Sequence, residues 1–190
     1  MLCFRDRRST RHIGNEYATS SDFQTIFSED MAALHLLAYL LTADRDRAEQ
    51  VFVAGLDDSI NGNLVFKQWA RSWGRRAIIK RAIKAVAPSP DAPSDHIPSF
   101  DPQTGKMELD QLVRAVAGLT TFQRFVFVLS VLEGYSTMET AALLACTAGT
   151  VIAARAEAFK YTARHAQFEP SQPQVAHPAW KALFASARAS

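Results

Sequence analysis

Leu132-Glu133-Gly134-Tyr135-Ser136-Thr137-Met138-Glu139-Thr140-Ala141-Ala142-Leu143-Leu144-Ala145-Cys146-Thr147-Ala148-Gly149-Thr150-Val151 is the stretch that decides the fold. It predicts a helix-turn-helix. Gly134 can take the left-handed conformation that ends a helix. Ser136 and Glu139 have capping-box spacing, in which each side chain bonds an amide at the start of the same helix. Ala141, Leu144 and Ala145 form a narrow apolar stripe of small residues. A turn at Cys146-Thr147-Ala148 follows, and Thr147 or Gly149 opens a last helix that runs to about residue 163. Two helices across a short turn place the second in a DNA major groove.

The surrounding chain is helical as well. Phe23, Ile26, Phe27, Leu34, Leu37, Ala38 and Leu41 recur at helical spacing. A second helix is expected over about Asp44 to Leu56, then a turn at Ile60-Asn61-Gly62-Asn63, then a third from about Leu64 to Val86. Leu109, Leu112, Val113 and Val116 predict another helix that Gly118 ends, and Phe122, Phe125, Val126, Leu129 and Leu132 predict the next. No strand pattern and no internal repeat emerges, so the expected class is all-α. Residues 88–106 hold five of the eight prolines and are expected to link two small helical domains, a three-helix one at 22–87 and a four-helix one at 107–168. Residues 1–21 and 169–190 are expected to be tails. In the second tail Trp180, Leu183, Phe184 and Ala187 share one helical face. A short helix that docks back on the protein is favoured there over a partner-binding peptide.

Composition excludes several classes. With 48% hydrophobic and 21% charged residues the chain is an ordinary globular one. The longest apolar run, Met31 to Leu41, is too short to span a bilayer, so no membrane insertion is expected. The arginine-rich start has no apolar segment after it and does not read as a secretory signal. Two cysteines, Cys3 and Cys146, make no disulfide framework, which suits a reducing cytoplasm. His12, His35, His96, His165 and His177 are scattered, no phosphate loop or nucleophile motif appears, and neither metal, cofactor nor enzymatic activity is expected.

Charge is segregated. Residues 22–58 hold eight acids against two bases, whereas residues 59–87 hold seven bases and no acid. Such a division suggests two different partners. Lys67, Arg71 and Arg75 lie four apart, as do Arg76, Lys80 and Lys84, with Arg81 between. Helical spacing stacks each set into a ridge suited to a phosphate backbone, and Trp69 and Trp73 lie on a neighbouring face. After Gly74 the basic residues rotate into the aromatic sector. That predicts either a kink at Gly74 or a second half that projects from the core. The tryptophans taken alone are more simply core residues.

The two halves together resemble RNA polymerase sigma factors of the extracytoplasmic-function group. The similarity is carried by Leu40-Leu41-Thr42-Ala43-Asp44-Arg45-Asp46-Arg47-Ala48-Glu49, by Phe66-Lys67-Gln68-Trp69-Ala70-Arg71-Ser72-Trp73-Gly74-Arg75-Arg76, by Phe125-Val126-Phe127-Val128-Leu129 through Ser136, and by Gly149-Thr150-Val151. The resemblance implies that 22–87 acts as region 2, binding core RNA polymerase and helping to open the −10 element of promoter DNA. It implies that 107–168 acts as region 4 and reads the −35 element. By position, Asp46 and Glu49 would lie on the polymerase-binding surface. Lys67, Arg71, Trp73, Arg75, Arg76, Lys80 and Arg81 would lie on or beside the −10 surface, and Thr147, Thr150 and Arg155 at the −35 surface. Trp69 matches a tryptophan that is mostly structural in the family. An anti-sigma factor would be a further partner. Two places depart from the family pattern. Gln50 and Val53-Ala54 stand where an acid and a Gln-Glu pair are usual, and Ile152-Ala153-Ala154 stands where a Lys-Ser-Arg run is usual. Residues 107–168 carry five bases and five acids, without the basic footprint of a DNA-binding domain. The alternative is therefore a diverged sigma-like regulator that no longer initiates transcription and acts by protein–protein or weak DNA binding.

Overall fold

The computed structural model describes residues 16–91 and 107–165. The described chain is all-α. Its helices are α1 (Ser20–Glu29), α2 (Met31–Thr42), α3 (Arg45–Asn61), α4 (Ala70–Val86), α5 (Met107–Ala117), α6 (Thr121–Phe127), α7 (Thr137–Leu143) and α8 (Ala148–His165). A 3₁₀ turn, Lys67–Trp69, leads into α4, and a π turn, Val128–Leu132, prolongs α6. One isolated bridge pairs Tyr17 with Phe66.

The first half has four helices where three were expected. The apolar stretch from Phe23 to Leu41 is broken at Asp30, which leaves helical geometry (φ −95°, ψ 14°) as it ends α1. The break lets α1 and α2 take different directions. α1 starts on a capping box made by Thr19 and Asp22, and α3 on the Asp44 carboxylate, which accepts from the Arg47 amide at 2.8 Å. α4 runs through Gly74 without interruption. The glycine is there because the Phe27 ring leaves no room: a Cβ would sit 2.9 Å from it. Beyond Gly74 the helix does not project, since Ala77, Ile78, Ile79 and Ala82 are all buried. Gly55 of α3 does the same service for Ile78, whose Cδ1 would meet a Cβ at 2.6 Å.

α2 explains the rest of the packing. Ala33, Leu34, Leu37, Ala38, Leu40 and Leu41 are buried around nearly its whole circumference. A helix apolar all round must be enclosed on all sides. α1, α3 and α4 cover part of it, and α5, α6 and the π turn cover the remainder. Phe27, Leu37, Leu41 and Ile78 therefore belong to one continuous core with Val116, Phe125, Val126 and Leu129. The division into 22–87 and 107–168 stays an organisational proposal, because helices from both sides of the Pro-rich segment share this core.

Arg124 holds the junction. It is 1% exposed, and its guanidinium donates to the carbonyls of Leu41 (3.2 Å), Thr42 (3.4 Å), Ala117 (3.4 Å) and Leu119 (3.2 Å). These carbonyls sit at and just beyond the ends of α2 and α5, where a helix has acceptors without intrahelical donors and a partial negative charge. A buried cation without a carboxylate is thus satisfied by two helix C-termini. Burial pulls its pKa down to about 10, which leaves it charged at neutral pH.

Candidate nucleic-acid interface

The helix-turn-helix forms as its sequence predicts. The Glu133 amide donates to the Val128 carbonyl at 2.9 Å to close the π turn, Gly134 takes φ +75°, and the Tyr135 amide then donates back to the Leu129 carbonyl at 2.9 Å. The Ser136 hydroxyl accepts from the Glu139 amide at 3.2 Å, and the Glu139 carboxylate accepts from the Ser136 amide at 2.9 Å. Those bonds from Ser136 hold the Glu139 carboxyl below its usual range. Ala141 and Leu144 are buried as expected. Ala145 is not part of that stripe: it is exposed and left-handed, at φ +51°, and makes the turn that separates α7 from α8. The chain bends by 103° between these helices, within the range that helix-turn-helix units use.

α8 opens at Thr147. Its hydroxyl accepts from the Thr150 amide at 3.1 Å and shares a hydrogen bond with the Thr150 hydroxyl at 2.9 Å. Thr147 therefore caps the helix, with the Thr150 hydroxyl bonded to it, at an exposed end whose amides suit an anion. Arg155 lies half-buried two turns along, and Ile152 and Ala153 are exposed. Ala154 does not face outward with them, because it packs against the core.

The basic helix is largely neutralised from within. Lys67 pairs with Asp22 at 3.4 Å. Arg71 bridges Glu29 and Asp30, the latter at 2.6 Å, and both bonds raise its pKa. Arg81 forks onto Asp58, whose carboxyl is held below the ordinary range by that contact. Arg75 makes a two-pronged pair with Glu133, with its Nε 2.9 Å from one oxygen and its other prong on the second. The two side chains are only 18% and 6% exposed. The acidic segment 22–58 and the basic segment 59–87 thus also meet each other, through Asp22, Glu29, Asp30 and Asp58. Such pairs, where exposed, are weak enough for phosphates to displace. Arg76, Lys80 and Lys84 remain exposed as the outward ridge.

Trp73 is half-buried, and Lys80 lies over its ring at 5.5 Å. Trp69 is no core residue: it is 56% exposed, its ring edge-on to Phe66 at 5.3 Å. Asp46 and Glu49 are exposed on the first turns of α3, with Val53 (59% exposed) next along that face. Ser72, Arg75, Glu133, Tyr135 and Glu139 line a cleft of about 280 Å³ where α4 meets the start of the helix-turn-helix. The basic helix α4 therefore touches the approach to the helix-turn-helix at Arg75 and Glu133. Glu133 was legible only as a helix end, and nothing local marked Arg124 or Asp58 as partners.

The stretch from α5 to α8 has counterparts among known proteins. Residues 109–160 match the family model described as Sigma-70, region 4. That stretch is similar to sigma-70 region 4. It begins just past the Pro-rich connection and takes in the buried Arg124 and the helix-turn-helix as far as residue 160. No curated protein matches the chain. A solved structure of the sigma factor RpoE in complex with the anti-sigma factor NepR, from Bartonella quintana, is 21% identical. The alignment covers 78% of this chain and 99% of that one, with a TM-score of 0.46. Among the described residues, no single helix is long and apolar enough to cross a membrane.

Proposed function

We propose that the chain is a sigma-factor-like protein of the extracytoplasmic-function type, which binds core RNA polymerase and promoter DNA in the cytoplasm. The observation that carries this is the region 4 match over a helix-turn-helix whose Gly134 turn, Ser136/Glu139 box and Thr147 cap are all formed. Residues 22–87 serve as region 2, with Asp46 and Glu49 toward the polymerase and the ridge of Arg76, Lys80 and Lys84 toward the −10 strand. Lys67, Arg71 and Arg81 join that surface when phosphates replace their present carboxylates, and Arg75 lies beside it in its pair with Glu133. Thr147, Thr150 and Arg155 serve at −35. The work is recognition, with phosphate contacts positioning the protein and base contacts specifying the site. An anti-sigma factor would be a further partner. The test is capture of core polymerase by the intact chain, followed by run-off transcription on a selected promoter pool. Co-purification with a defined start site is expected, and neither occurring would sink the proposal.

A second reading is favoured by the outward face of α8. Ile152 and Ala153 stand exposed where cations would contact phosphates, so region 4 could serve a diverged regulator that no longer initiates. Substituting Ile152→Lys with Ala153→Arg separates the two. If α8 faces DNA, two new phosphate contacts steepen the slope of log affinity against log salt by about 1.8. An unchanged slope favours the diverged regulator.

A further inference from the structure

α8 is apolar on two faces. Val151, Ala158 and Thr162 point into the core. Ile152, Ala156, Phe159 and Ala163 follow i, i+4, i+7, i+11 spacing on another face and are all exposed, Ile152 at 53% and Phe159 at 47%. The Phe159 ring is edge-on to buried Phe127 at 5.5 Å, so this outer stripe continues from the core. A helix apolar on two sides is one that something encloses, and this stripe offers no cation to a phosphate.

We propose that the chain's own segment 179–188 covers this stripe. That segment, Ala-Trp-Lys-Ala-Leu-Phe-Ala-Ser-Ala-Arg, places Trp180, Leu183, Phe184 and Ala187 at i, i+3, i+4, i+7. It has the length and apolar width of the stripe, and lies outside the described residues. α8 ends at His165. From there back to Ile152 is about 20 Å at 1.5 Å per residue. The connection 166–178 carries Pro170, Pro173 and Pro178 and reaches about 40 Å in extended form. The segment can therefore return along α8 in the opposite direction. Tethering sets its effective concentration near the millimolar range, so it outcompetes a second copy at micromolar protein. In the docked state Ile152 and Ala153 are withdrawn from any DNA. The proposal stands whether or not the chain initiates transcription.

Hydroxyl-radical footprinting of the intact chain reads the side chains concerned. Ile152 and Phe159 should be labelled at least ~3-fold more slowly than in the W180A/L183A/F184A variant. Trp180 labelling should rise by a similar factor in the I152D/A156D variant. Ile152 and Ala156 are exposed positions of α8, and circular dichroism checks that both variants keep their helicity. Equal labelling of Phe159 in the intact chain and the tail variant overturns the proposal. So does protection that fades on dilution while light scattering shows a dimer, which would make a second copy the occupant.

Discussion

Arg124 is the most consequential single side chain for the junction of the two halves, and Arg124→Met is the substitution that tests it. Methionine keeps much of the apolar stem and removes every donor. Four carbonyls then lose their partner, two at the end of α2 and two at and just past the end of α5. A cation at a partly buried helix C-terminus contributes up to ~2 kcal/mol, and two such ends set an upper figure of about 4 kcal/mol. Against this, the variant no longer pays to desolvate a guanidinium that is 1% exposed, a cost of several kcal/mol that the native contacts had already offset. The buried carbonyls left behind each cost about 1 kcal/mol or more unless water reaches them. The net expectation is a loss of about 2–4 kcal/mol. Urea unfolding followed by far-UV circular dichroism and by tryptophan fluorescence measures it. In a Trp180→Phe background Trp69 and Trp73 report the first half while circular dichroism reports all helices, so a junction that weakens first separates the two transitions. Arg124→Lys keeps the charge with fewer directed donors and should recover about half of the loss. If Arg124→Met unfolds within ~0.5 kcal/mol of the native chain and with coincident transitions, the clasp is not what joins the halves.

Three further outcomes are expected. Glu133→Gln removes the charge opposite Arg75 and should lower stability by about 1–2 kcal/mol; urea unfolding checks it, and an unchanged midpoint would contradict it. The Glu139 carboxyl should titrate below its ordinary 4.5 in carbon-detected NMR, so its contribution is complete above that value and is lost as pH falls through the lower folded value; in Ser136→Ala the titration should return toward 4.5, and the lost cap should cost about 1 kcal/mol. Ala145→Gly relieves a left-handed alanine at φ +51° and should stabilise the chain by roughly 0.5–1 kcal/mol in thermal unfolding; a destabilised variant would mean that the turn is held by something other than its backbone conformation.

What was legible in the sequence was local. The Gly134 turn, the Ser136/Glu139 box and the start of α8 depend on residues within a few positions of one another, and such bonds form wherever the chain goes helical. The helical periods of α3, α5 and α6 were equally plain. The break at Asp30 was not, because the apolar spacing on either side runs on without interruption. Gly74 misled for a related reason: its role is to admit the Phe27 ring, and sequence shows a glycine without showing what approaches it.

By itself, then, the sequence determined an all-α chain, a helix-turn-helix with its caps, and a segment of seven cations without an acid. Only the tertiary structure decided how those cations are spent, since Arg75 meets Glu133 across 58 positions and Arg81 meets Asp58 across 23. It likewise decided that α2, apolar on all sides, is enclosed by helices from both halves, with Arg124 reaching carbonyls 82 and 83 residues away. The physical reason is one of range. Caps and periodicity act over three or four residues along a helix, whereas ion pairs and core contacts are chosen by which surfaces remain uncovered once the helices exist.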